Sequence, residues 1–160
     1  MTNRLLLHSF NALLLAAFTS LASAQDQRPG YGPSINIAAA KKVAAGVIAE
    51  CAKNNWNVAV AIVDTHGGLV YYERMEDTQS ASFDIAIMKA KAAATYRRPT
   101  RAWADVISKS GPAVMTLPGV VASPGGVPIF VGGKVIGAAG VSGVTGDQDE
   151  QCSKAGIAGM

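Results

Sequence analysis

Apolar residues recur at helical spacing from Ser34 to Asn54, where Ala40, Val43, Ala44, Val47 and Cys51 share one face and Ser34 is a residue type that caps a helix start. The period then changes. Val58–Val63 is an unbroken apolar run, which predicts a strand buried on both faces. Asp64-Thr65-His66-Gly67-Gly68 is a turn, and Leu69–Met75 is the partner strand. A second helix begins at Ser80 or Ser82, with Ile85, Met88, Ala92 and Tyr96 at helical spacing, and Pro99 stops it. Thr100 opens a shorter helix to about Lys109. The Gly- and Pro-rich stretch Gly111–Pro128 includes Ala113–Leu117 as a short strand. A hairpin follows, Val127–Val131 and Val135–Val141 around Gly132-Gly133-Lys134. Thr145 with Gln148, or Asp147 with Glu150, is a capping box for a last helix. Two hairpins and a fifth strand, bracketed by helices, predict an α+β fold with helices packed on an antiparallel sheet.

The first segment has a different pattern. Arg4 precedes the mostly apolar Leu5–Ala17, and Ala22-Ser23-Ala24 has the small-x-small form that signal peptidase accepts. Met1–Ala24 is therefore expected to be a cleaved export signal. Its apolar run is too short for the roughly 20 residues that cross a bilayer. Gln25–Pro33 is expected to be a mobile lead-in, and residues 34–160 a single domain, working in the periplasm or secreted. No other segment predicts a membrane span.

Composition narrows the function classes. The chain of 160 residues is 49% hydrophobic and 16% charged, which excludes a disordered chain. Fourteen Lys and Arg face eleven Asp and Glu, and they are scattered, so no basic stripe for nucleic acid is formed. Export gives the two cysteines an oxidising setting, in which Cys51 and Cys152 can join the first helix to the last. Two separate buried thiols or a metal pair are the alternatives.

There is no nucleophile elbow, P-loop or dinucleotide fingerprint. Gly137–Gly140, Gly143 and Gly146 lead into the last helix, whose N-terminus can seat an anion, but Asp147, Asp149 and Glu150 there oppose one and favour a plain tight turn. Arg97-Arg98-Pro99-Thr100 is more specific. Two guanidiniums and a hydroxyl at a helix corner can clamp a carboxylate, or can cap the carbonyls of the preceding helix. Tyr71, Tyr72, Met75 and Tyr96 can line a flat ligand or be ordinary core, since strand alternation sends Tyr71 and Tyr72 to opposite faces. His66 is the only histidine after Ala24, and is either an iron ligand or a solvated turn residue.

Several motifs occur in a fixed order: Ile62–Val70 around Val-Asp-x-x-Gly-Gly; Lys89–Thr100, ending Arg-Arg-Pro-Thr; Pro124–Gly143 with Pro-Gly-Gly-Val-Pro-Ile; and Asp147–Cys152. Together they resemble the GlcG/HbpS family, which includes the C-terminal domain of PduO-type proteins, over nearly all of the chain after Ala24. The resemblance implies a profilin-like fold, with a five-stranded antiparallel sheet flanked by helices on both sides, assembled as a homo-oligomer. It implies an exported protein that binds haem or another tetrapyrrole in haem or iron handling or sensing. It places Arg97, Arg98 and Thr100 in a ligand pocket or subunit contact. The alternative is a periplasmic enzyme or accessory subunit acting on a small carbonyl or carboxylate compound, with Asp64, Glu73 or Tyr96 as its acid or base. On this reading the partners are the chain itself and haem or another small anionic ligand.

Overall fold

The computed structural model describes residues 28–160, so the expected export signal lies outside the described residues. Strands β1 (Ala59–Val63), β2 (Leu69–Arg74), β3 (Gly126–Val131) and β4 (Lys134–Ser142) form one sheet in the order β2-β1-β4-β3, antiparallel throughout. Helices α1 (Ile37–Lys53) and α4 (Gly146–Ala158) cover one face, α2 (Ser82–Tyr96) covers the other, and α3 (Arg101–Ser110) lies beyond α2. The α+β class and the helices on both faces agree with the sequence pattern, but the sheet has four strands, not five. The expected fifth strand at Ala113–Leu117 is instead a 3-10 helix, Pro112–Thr116. Pro112 lacks a ladder donor. The outer edge of β3 is also closed at Gly126, whose N–H and C=O both bond Thr100.

The two faces are packed differently because β1 alternates. Val60 and Ile62 meet Val43, Val47, Ile129 and Val141 under α1 and α4, a core of branched side chains. Ala59, Ala61 and Ala138 meet Ala86, Ala90, Ala93 and Ala94 of α2, a core of methyl groups. The second contact is close enough to need glycine. A Cβ on Gly140 would lie 2.1 Å from the Ala86 carbonyl oxygen and 2.4 Å from the Ala90 nitrogen. Gly140→Ala is expected to lower stability by about 1–3 kcal/mol through overpacking, read as a shifted urea midpoint. An unchanged midpoint would show that α2 can lift away at little cost.

This approach also corrects the buried face of α2. The larger residues Ile85, Met88 and Tyr96 do not enter the core, and Met88 is 52% exposed. Ser82, Ala86, Lys89, Ala90, Ala92, Ala93 and Ala94 do, so of the predicted face only Ala92 is buried. The cap of α1 is Asn36, whose Oδ1 accepts from the Ala39 N–H at 2.9 Å. Ser34 instead pairs with Thr65. The α4 capping box of Thr145 and Gln148 forms as its sequence predicts.

Cys51 and Cys152 are joined, with Cα atoms 5.7 Å apart and both residues wholly buried. Of the lead-in, residues 28–33 run against the start of β4: Tyr31 bridges Val135, and Gly32 N–H donates to the Val135 carbonyl at 2.8 Å. Among the described residues no helix is long and apolar enough to cross a membrane.

Candidate functional site at the α2–α3 corner

Helix α2 ends because Arg97 adopts the left-handed conformation (φ 55°), which turns its N–H back onto the carbonyls of Ala93 and Ala94. Pro99 then prevents the helix from continuing, and Thr100 fixes the corner to the sheet. Thr100 is fully buried, its N–H donates to the Gly126 carbonyl at 3.0 Å, and its Oγ1 accepts from the Gly126 N–H at 3.0 Å. That hydroxyl therefore braces the corner against the edge of β3.

The adjacent arginines take separate courses. Arg97 Nη1 donates to the Pro29 carbonyl at 3.0 Å and its guanidinium lies 5.1 Å from the Tyr31 ring centre. The Tyr31 hydroxyl donates to the last-turn carbonyls of Thr95 and Ala94. The Arg98 guanidinium lies over the Trp103 ring at 4.8 Å. Tyr96 meets the same ring edge-on at 5.0 Å and donates its hydroxyl to the Pro118 carbonyl at 2.7 Å. Tyr96, Arg97, Arg98 and Thr100 are thus gathered at one corner, beside the β3 edge.

The other predicted residues lie elsewhere. Tyr72 and Met75 belong to β2 and its exit, at the opposite edge of the sheet. Tyr72 packs edge-on against Phe83, and burial pushes its hydroxyl pKa up, with Arg74 opposing and Asp84 adding to the shift. Tyr71, on the other face, donates to Glu73 at 3.0 Å, and that bond, with burial, raises its pKa. Met75 packs against the larger core. His66 is exposed in the β1–β2 turn, with Nδ1 3.1 Å from Thr65 Oγ1. Asp64 Oδ1 accepts the backbone N–H groups of His66 and Gly68, both at 2.8 Å, which makes it a turn brace. Among the described residues no three of His, Cys, Asp and Glu are grouped to hold a metal ion.

Three features have no counterpart in the sequence reading. Trp103 is 4% exposed, the one fully buried residue of α3. From Gly111 through Gly133 the chain carries no charged residue, yet Met115 and Leu117 are 48% and 44% exposed. That charge-free run next to two arginines was the available signal, and its glycines and prolines hid it. The third feature is a depression of about 280 Å³ lined by Arg101, Asp147, Glu150, Gln151 and Lys154. Arg101 Nε donates to Glu150 at 2.6 Å and its terminal nitrogen to Asp147, while Lys154 pairs with Glu150 at 2.5 Å. These bonds push the Arg101 pKa further up. The charges there balance, and the depression braces α3 against α4.

The corner thus sets two guanidiniums near a charge-free segment with exposed apolar side chains. A family described as "Haem degrading protein HbpS-like" matches residues 35–158. Protein GlcG of Escherichia coli (strain K12) is 38% identical over 106 residues, spanning 64% of this chain and 79% of GlcG. A crystal structure of a Streptomyces reticuli HbpS double mutant superposes with a TM-score of 0.74 at 30% identity, covering 79% of this chain and 87% of that one. A crystal structure of a PduOC:heme complex superposes at 0.73 and 26% identity, covering 79% and 95%.

Proposed function

As the chain belongs to the HbpS-like family, together with GlcG, we propose that it is an exported protein that binds haem or a related tetrapyrrole, as a homo-oligomer, in haem or iron handling. The observation that carries this reading is the corner with the segment it holds: Arg97, Arg98 and the buried Trp103, and a charge-free segment with exposed Met115 and Leu117 whose Pro118 carbonyl accepts from Tyr96. A tetrapyrrole with two carboxylates needs apolar surface for its faces and cations at one rim, and this donor set fits it. Met115 and Leu117 would meet the macrocycle, and Arg97 and Arg98, each with five N–H donors, would hold the carboxylates. Bound haem would supply a redox-active iron centre; His66, exposed in the β1–β2 turn, is not among the residues of this corner.

Titration of the protein lacking Met1–Ala24 with haemin, followed at the Soret band, tests the proposal. Saturation is expected at about one haem per subunit, with about tenfold or weaker binding in Arg97→Ala/Arg98→Ala, the loss of charge-assisted bonds. No spectral change at micromolar haemin would remove the haem reading and favour the small carbonyl or carboxylate compound, to be screened by thermal shift.

A further inference from the structure

The geometry points to the indole N–H of Trp103 as the donor that anchors a carboxylate of the tetrapyrrole, reached when the α3 arm lifts. This rests on the haem-binding reading and adds where the acid group is held. Trp103 is 96% buried, and its Nε1 is sealed from solvent with no hydrogen-bond acceptor. Native proteins rarely leave a buried donor unpaired, because the lost hydration is uncompensated. The Tyr96 ring packs edge-on against the indole, but its hydroxyl gives its proton to the Pro118 carbonyl and makes no bond with Nε1. The Arg98 guanidinium lies over the same indole. A donor beside a positive charge favours an anion over a neutral or cationic guest.

The arm is suited to move. Helix α3 packs chiefly on the 3-10 helix, and Val106 and Ile107 of its apolar face are only half-buried. Among the described residues its ion pairs to α4 run through Arg101 alone, to the exposed Asp147 and to the buried Glu150 at 2.6 Å, so a single side chain ties the arm to α4. Lifting the arm exposes the unpaired N–H to an acceptor, so the bound state gains a bond that the closed state lacks.

The test uses the full chain after Ala24 with Trp56→Phe, which leaves Trp103 as its one indole. Zinc protoporphyrin IX, which is diamagnetic, is expected to move the Trp103 indole proton downfield in an NMR titration. The dimethyl ester of the same porphyrin is expected to leave it in place. Trp103→Phe keeps a smaller aromatic ring and removes the donor. It is expected to bind haemin about tenfold or more weakly, with a Tm no lower than before. Equal haemin affinity in Trp103→Phe and the unmodified protein, or a stationary indole proton with the free acid bound, overturns the anchor while haem binding stands. No tetrapyrrole binding by the unmodified protein overturns both. If Trp103→Phe fails to fold, the free-acid and ester titrations still decide.

Discussion

Lys89→Met is expected to cost about 3–5 kcal/mol, because it leaves a buried carboxylate without its counter-ion. Lys89 sits in the alanine face of α2, and its Nζ is 2.7 Å from Asp149 Oδ2 and 3.1 Å from the Val141 carbonyl. Both side chains are only 2% exposed. The pair joins α2 to the first turn of α4 across the end of the sheet. Burial raises the Asp149 pKa; the Lys89 ammonium and the N–H groups of Val144 and Gly143 oppose it without cancelling it. A carboxyl raised in the folded state holds its proton more tightly there than in the unfolded chain. The stability linked to that proton is present at low pH and lost as pH rises through the folded pKa. Removing Lys89 takes away an opposing influence and extends that window upward. The deficit of Lys89→Met is therefore expected to be larger at about pH 7 than at about pH 5, and Asp149→Asn added to it should recover part of the loss. Urea midpoints of the three proteins at the two pH values measure this. A deficit independent of pH would mean that Asp149 is not the charge left stranded.

Breaking the Cys51–Cys152 bond is expected to have an effect of similar size. The bridge spans a sequence separation of 101 residues, and in the chain-entropy model a loop of roughly 100 residues contributes about 4.7 kcal/mol by restricting the unfolded chain. It also holds α1 to α4, where a Cβ on Gly46 would lie 2.9 Å from the Gly156 Cα, so the helices touch through backbone. Cys51→Ala/Cys152→Ala is expected to lose about 3–5 kcal/mol. The unmodified protein, unfolded without reductant, should show no titratable thiol. Because both sulfurs are wholly buried, reductant should act slowly on the folded chain and readily once urea opens it. Equal stability of the double variant and the parent would remove the bridge as a source of stability. A strong dependence on the bridge fits the export reading, since such a protein needs an oxidising compartment to reach full stability.

The hairpins and terminal helices could be read from the sequence because each is specified locally. Val58–Val63 is long enough and apolar enough to be a buried strand wherever it lies, and Thr145 with Gln148 form the same cap on any helix. The face of α2 could not be read this way. Helical spacing ranks residues by apolarity, whereas contact with Gly140 ranks them by size, so Ala86 and Ala90 went inward and Met88 outward. The candidate site divided for a related reason. Arg97, Arg98 and Tyr96 are adjacent in sequence and stayed together, while Tyr72 and Met75 were brought into the same set by residue type alone. The strand order β2-β1-β4-β3 puts them at the far edge.

What the sequence determined by itself is the family, the α+β class and the order of the helices and hairpins, with a Cys51–Cys152 bridge as one of the readings it left open. These follow from periodicity, capping and turn chemistry over short spans, and from motifs kept in order. What only the tertiary structure decided is which polar groups are buried together. Lys89 meets Asp149 across 60 residues, Thr100 closes the edge of β3 at Gly126, and Trp103 is left with an unpaired N–H. The cost or gain of a buried donor or charge depends on the atom facing it. That atom comes from a distant part of the chain, and only folding brings the two within hydrogen-bond reach.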